Sequence, residues 1–303
     1  MKEKIFEKLK KNIKVSYVIL FVVLLVYTIS LLTPLLWTLT TSFKNVGLWN
    51  TALVEKDASG IVFMNSFEFT NYVEAYMGFF VERTRGDMNY RFYITDMFVN
   101  SILYAGGCGL VATITPCLVA YLCARYRYKF GKIVYTVVLI TMAIPIVGNL
   151  PSEIRMVKNI GLYDNIFGLY VLKANFLGMY CLIFYAQFKM IPQDYTSAAE
   201  IDGASDFRIM MQVIWPLAMG TISTVFLLNF INFWNDYQIP MIYWDSHPVA
   251  AFGMFEYSRR TGKVAATPFK LAGILIMAVP ILIVFGIFNK KIMSNMSIGG
   301  IKG

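Results

Sequence analysis

The sequence of 303 residues has little charge and few of the residue patterns that carry catalysis. Asp, Glu, Lys and Arg make up 15% of it, whereas soluble domains contain about a quarter. The nucleotide-binding pattern G-x-x-x-x-G-K-[ST], the zinc pattern H-E-x-x-H and the nucleophile pattern G-x-S-x-G are all missing. These absences argue against an ATPase, a metalloenzyme or a hydrolase, and we predict no catalytic residue, cofactor or metal site.

Histidine and cysteine are also scarce. The one histidine, His247, precedes Pro248, so a loop residue is favoured over a catalytic or metal-binding one. The four cysteines lie inside apolar runs without C-x-x-C spacing: Cys108, Cys117, Cys123 and Cys181. Small buried hydrophobic side chains are favoured there over a disulfide or a metal site.

What the sequence does contain is apolar surface, since 57% of its residues are hydrophobic. A soluble core of this size could not bury so much of it. Six runs are almost free of charge, and Lys173 is the one charge inside them: 15–43, 97–124, 133–152, 165–188, 209–235 and 271–289. Each approaches or exceeds the roughly 20 residues that cross a bilayer. We therefore predict an all-α membrane protein with six transmembrane helices, the first being too long for a cleaved signal peptide.

The net charge of +9 indicates how the chain is oriented in the membrane and is not read as a nucleic-acid binding site. Lysine and arginine cluster before the first run, between 125 and 132, and after the last run. Basic loops stay in the cytoplasm, so both ends are predicted inside. The resulting segments are a cytoplasmic N-terminus 1–14, a first helix 15–43, an extracytoplasmic loop 44–93, a permease core 94–293 and a cytoplasmic tail 294–303.

The polar segment 192–216 lies between two apolar runs. Its pattern predicts two short helices around Gly203, with Pro192 suited to a first helical position and Ser205 or Asp206 able to cap the second helix. Gly203 breaks the helix or allows a positive φ. Four small residues would let another protein approach closely: Ala198, Ala199, Gly203 and Ala204.

The run S-A-A-E-I-D-G-A at 197–204, followed by Pro216 and Leu217, resembles the EAA loop of binding-protein-dependent ABC importer permeases. The MalG-type subunit of carbohydrate importers is the most similar member. Ser197 stands where that family has a glutamate, which removes one charged contact. Further matches are the T-P-L-L-W run at 33–37 and the F-W-N-D-Y run at 233–237.

This resemblance implies the ABC importer type I permease fold, with a cytoplasmic coupling helix inside the EAA-like loop 189–212. It also implies a bacterial cytoplasmic membrane location among lipids, a second permease subunit of MalF type, ABC ATPase subunits, an extracytoplasmic solute-binding protein and a sugar substrate. ATP hydrolysis would lie on the separate ATPase. The implied ATPase-coupling residues are Ser197, Ala198, Ala199, Glu200, Asp202, Gly203 and Ala204.

Several alternatives remain open at this point. A secondary transporter and a non-transporting membrane scaffold are rival functions. The candidate substrate-path residues are Lys173, Asn229 and Asn232, although Lys173 could instead extend its ammonium to the outer interface. Gly203 could be only a helix terminator. The acidic residues of the polar segment fit a solvated or partner-facing role better than proton chemistry.

Overall fold

The computed structural model describes residues 15–63, 66–85, 88–126, 129–144, 148, 150–259 and 266–296. This part of the chain is mostly helical and contains one two-stranded antiparallel sheet. The described residues divide into two compact units, one drawn from 1–78 and 260–276 and one drawn from 79–259 and 277–303. The predicted cytoplasmic N-terminus 1–14 and most of the tail 294–303 lie outside the described residues.

The first unit begins with a long apolar helix, α1 (Val15–Ser42). Residues 17–36 are all exposed, which suits a helix whose apolar surface faces lipid or another subunit. Three shorter helices follow, α2 (Val46–Glu55), α3 (Ala58–Val62) and α4 (Thr70–Gly78). The side chains of Asn45 and Asp57 cap α2 and α3 by accepting backbone N–H bonds.

A buried lysine joins the end of α1 to these short helices. The Lys44 ammonium donates to the carbonyls of Gly60 at 3.1 Å and Ile61 at 2.6 Å, and lies 5.3 Å from the ring centre of Trp49. Burial lowers the pKa of Lys44 from its ordinary value. The contacts fix where α1 ends, because moving the chain there would leave this cation without partners.

The second unit opens with a hairpin of β1 (Phe80–Arg85) and β2 (Met88–Tyr93), in which Phe80 lies opposite Tyr93. The all-α expectation is therefore wrong for this part of the predicted loop 44–93. Residues 89–92 of β2 alternate polar and aromatic residues, as strands do. Arg91 also pairs with Glu82 directly across the hairpin at 2.6 Å.

One long helix, α5 (Ile94–Arg125), organises the rest of the second unit. The helices α6, α8, α9, α12 and α14 all pack against it. The remaining elements, in chain order, are α6 (Lys129–Ala143), α7 (Leu150–Asn159), α8 (Ile166–Lys173), α9 (Met179–Met190), α10 (Asp194–Ile201), α11 (Asp206–Ile209), a π-helical turn (Met210–Ile214), α12 (Trp215–Asn235), α13 (Gln238–Tyr243), α14 (Ala250–Arg259) and α15 (Thr267–Met296).

Four helices in the described chain are long and apolar enough to cross a membrane: α1, α5, the continuous helix 206–235 and α15. The other two predicted spans, the third and the fourth, are not among these four long helices. In the third, α6 ends at Ala143 and α7 begins at Leu150. The fourth is broken between α8 and α9, where the Asn175 side chain accepts the backbone N–H of Leu177 and so competes with the helix. The count of six transmembrane helices stays a prediction.

A close approach at Gly168 fixes the start of α8. This glycine is buried, and a Cβ there would meet the Leu162 carbonyl oxygen, which belongs to the backbone. We expect Gly168→Ala to destabilise the second unit by about 1–3 kcal/mol, since the chain must move to make room. Thermal unfolding in detergent measures this. The control is Gly106→Ala on α5, where a Cβ meets nothing within 4 Å; equal melting temperatures for the two variants would contradict the packing argument.

Candidate functional site

The predicted coupling residues lie in the short helix α10 and in the turn that joins it to α11, and backbone hydrogen bonds close this turn. The helix α10 ends at Ile201, Asp202 is its C-cap, and Gly203 has a φ of +76°. The N–H of Gly203 donates to the Glu200 carbonyl at 3.0 Å, and that of Ala204 donates to the Ala199 carbonyl at 3.0 Å. This pair of bonds is the Schellman motif. The expected positive φ is confirmed, but α10 begins at Asp194, so Pro192 precedes the helix rather than opening it.

The chain leaves this turn through a helix that reaches deep into the second unit. Ser205 precedes α11, but its side chain makes no capping bond. The π-helical turn then leads directly into α12. Ile209, Met210 and Ile214 are buried in a core cluster that includes Phe184 and Phe188 of α9. These contacts fix the position of the residues that follow the turn.

The seven predicted coupling residues divide into an outer and an inner set. Those in the outer set are exposed: Ser197, Ala198, Glu200, Asp202 and Gly203. In the inner set, Ala199 and Ala204 are half-buried and pack against the core cluster. Only part of the small-residue surface is therefore open to a partner.

Two large apolar side chains stand exposed on the same segment. Ile201 is 87% exposed and Phe207 is 69% exposed. Four carboxylates share the segment, those of Asp194, Glu200, Asp202 and Asp206, and all four residues are exposed. The sequence pattern pointed to the small residues and the acids, whereas these two apolar residues could be singled out only once their exposure was known.

The three candidate path residues lie on two different helices. Asn229 is buried in α12 and donates to Thr113 Oγ1 of α5 at 3.0 Å. Asn232, one turn further along α12, is exposed. Lys173 is half-buried at the end of α8. Both helices pack against α5, and among the described residues no hydrogen bond or ion pair joins Lys173 to either asparagine.

A polar cluster that the sequence did not indicate lies between the hairpin and two loops of the second unit. Asp164 Oδ1 accepts from Ser246 Oγ at 2.7 Å, and Ser246 Oγ lies 2.7 Å from His247 Nδ1. Arg83 pairs with Asp245 at 3.1 Å. These five residues line a cavity of about 330 Å³ together with Tyr90, Phe92 and Tyr163. Three separate stretches of chain supply the cluster, so no local spacing could reveal it.

Nearby, the Tyr243 hydroxyl donates to Glu153 Oε1 at 2.9 Å. Burial, helped by this bond, raises the pKa of Tyr243 to about 12. The phenol therefore stays protonated and acts as a donor that ties α13 to α7. Within the described ranges, no three His, Cys, Asp or Glu side chains come close enough together to hold a metal ion.

Comparison with known proteins adds a family assignment to this geometry. Residues 117–297 match the family described as "Binding-protein-dependent transport system inner membrane component". The chain is 26% identical to the diacetylchitobiose uptake system permease protein NgcG of Streptomyces coelicolor, over 91% of this chain and 86% of that one. It is 25% identical to the melibiose/raffinose/stachyose import permease protein MelC of Bacillus subtilis, over 88% of this chain and 89% of that one.

The fold also has a counterpart among solved structures. A chain of a bacterial ABC transporter involved in the import of the acidic polysaccharide alginate superimposes with a TM-score of 0.70. The match covers 91% of this chain and 96% of the other at 18% identity, so it speaks for the fold alone. Since the matched family region spans more than half of the sequence, the chain belongs to the binding-protein-dependent transport system inner membrane components: it is an ABC importer permease subunit and not itself an enzyme.

Proposed function

We propose that this chain forms half of the translocation path of a sugar importer in the cytoplasmic membrane of a bacterium. A second permease subunit would complete the path, an extracytoplasmic protein would deliver the sugar, and a separate ATPase would drive transport. The relatives support a sugar as the substrate, since one is a permease for diacetylchitobiose uptake and another is a permease for melibiose, raffinose and stachyose import. An oligosaccharide is the substrate class common to these names.

The observation that carries the coupling role is the exposed surface of the segment 189–212. Ile201 and Phe207 are large apolar side chains left open beside exposed carboxylates. Exposed apolar groups rimmed by polar ones mark protein interaction sites. We infer that the ATPase docks here, with an apolar pocket for these side chains and basic groups for the acids.

The same segment is built to transmit force as well as to bind. Its turn is closed by two backbone bonds at Gly203 and Ala204. Its entry is held by Arg125, whose guanidinium donates to the Ile191 carbonyl at 3.0 Å. Its exit continues without a break through residues 206–235 to Asn229 and Asn232. A displacement of Phe207 would therefore move Asn229 and Asn232 with it, because the helix would shift as a rigid body.

The first test uses Gly203→Asn. Asparagine tolerates positive φ, and a Cβ at Gly203 meets nothing within 4 Å, so the fold should be retained while a side chain enters the docking surface. We expect sugar uptake to fall by about 5–150-fold, the usual size of a coupling effect. Uptake and binding-protein-stimulated ATP hydrolysis in proteoliposomes measure it.

The matched control for this test is Gly161→Asn. Gly161 has a φ of +72° and equally open surroundings, but lies between the third and fourth predicted spans, a connection that six spans with both ends inside place outside the cell. Its uptake should stay near that of the unaltered protein. Normal uptake and normal binding-protein-stimulated ATP hydrolysis with Gly203→Asn would instead make Gly203 a helix terminator without a coupling role.

We also propose that six segments cross the membrane, with α6 and the α8–α9 pair completing the four long helices. This arrangement requires 44–93 outside and 189–212 inside. Cysteines introduced as Glu55→Cys and Asp202→Cys occupy exposed positions and should react with a membrane-impermeant maleimide from opposite sides. Reaction of both from one side would exclude the six-span arrangement.

The substrate path is proposed to include Lys173, Asn229 and Asn232. A half-buried ammonium can donate to sugar hydroxyls, so Lys173→Met should lower uptake while basal ATP hydrolysis stays unchanged. Uptake equal to that of the unaltered protein would leave Lys173 as an interfacial anchor.

The same assays separate the rival functions, because a secondary transporter moves sugar without the ATPase and a scaffold shows no flux.

A further inference from the structure

We propose that the second unit binds the phosphate headgroup of an anionic phospholipid at the cytoplasmic ends of α5, α6 and α9. A cavity of about 570 Å³ lies there. Four cations line it, Arg125, Lys129, Lys132 and Lys189, and no carboxylate is among the described residues of its lining. The Asp206 carboxylate is hydrogen-bonded to Tyr126 at the cavity wall, but the four cations outnumber it, and this excess of positive charge favours an anionic occupant.

Arg125 supplies the second observation. One of its guanidinium nitrogens donates to the Ile191 carbonyl at 3.0 Å. The other two, Nε and Nη2, are buried and have no hydrogen-bond partner within the described part of the chain. Buried donors of this kind are normally satisfied, and a phosphate accepts from several donors of a guanidinium at once.

A second cavity, of about 470 Å³, adjoins the first and has the opposite character. Its wall includes Val119, Leu122, Val134 and Phe176, and carries almost no polar surface. The two cavities share Cys123, Tyr126 and Gly131. A basic cavity that shares wall residues with an apolar one matches an amphiphile with an anionic head and a hydrocarbon tail, which favours a lipid over a free phosphate compound as the occupant.

The position gives this lipid a role in regulation. The residues between α5 and α6 are predicted to lie at the cytoplasmic surface, where basic pockets meet anionic headgroups. Gln193, the last residue before α10, also lines the basic cavity. A bound headgroup would therefore brace the start of the proposed coupling segment, and transport would depend on anionic lipid.

The test measures retained lipid on the full-length chain, purified in its assembly and placed in nanodiscs of mixed phosphatidylglycerol and phosphatidylcholine. Native mass spectrometry should show enrichment of phosphatidylglycerol. Lys132→Gln should weaken this preference about fivefold, as expected for one basic residue near a membrane surface. The control Lys158→Gln removes an equal charge beside Tyr163, away from the cavity, and should retain the preference.

A third variant separates the two sources of phosphate. Val134→Asn places a polar group in the apolar cavity, so it should reduce retention of phosphatidylglycerol while leaving the weaker binding of soluble glycerol phosphate unchanged. The proposal is overturned if Lys132→Gln retains phosphatidylglycerol like the unaltered protein. It is also overturned if glycerol phosphate binds as tightly as the lipid, or if lipid binds only after the other subunits are removed.

Discussion

The contact between α12 and α5 is the interaction on which the second unit depends. Asn229 donates to Thr113 in a buried hydrogen bond across it, and a misaligned pair of helices would leave the Asn229 amide without this partner in an apolar setting. Near the other end, Tyr104 of α5 donates to Asp236 at 2.8 Å. Two polar contacts at different depths fix how far along each other the helices lie.

The other helices take their positions from α5 as well. Asn100 donates to the Pro248 carbonyl at 3.0 Å, and Ser101 accepts from the Ala250 backbone at 2.7 Å. These bonds seat the start of α14 against the start of α5. Both asparagine and serine are buried, so they contribute specificity where apolar packing alone would tolerate sliding.

Much of this arrangement could be predicted from the sequence. Uncharged runs located α1, α5, α12 and α15, because crossing a membrane demands both length and apolarity. The turn at Gly203 was predicted because few residues besides glycine adopt a positive φ easily. Both features are local, and a short window of sequence contains the whole physical reason.

The features that were missed depend on distant residues or on balance between competing bonds. The break between α8 and α9 depends on Asn175, whose side chain competes with the helix, while hydropathy reports only that the run is apolar. The cluster of Asp164, Ser246 and Arg83 needs three stretches of chain. The inward packing of Ala199 and Ala204 likewise depends on the core cluster beneath them, which no motif describes.

The long separation between the partners in the α5–α12 contact has a consequence for biosynthesis. Thr113 leaves the ribosome 116 residues before Asn229, whereas α1 has an apolar surface that needs no partner from later in the chain. The nascent protein can thus insert α1 early, whereas α5 must stay in the bilayer without its packing partner until α12 has been synthesised.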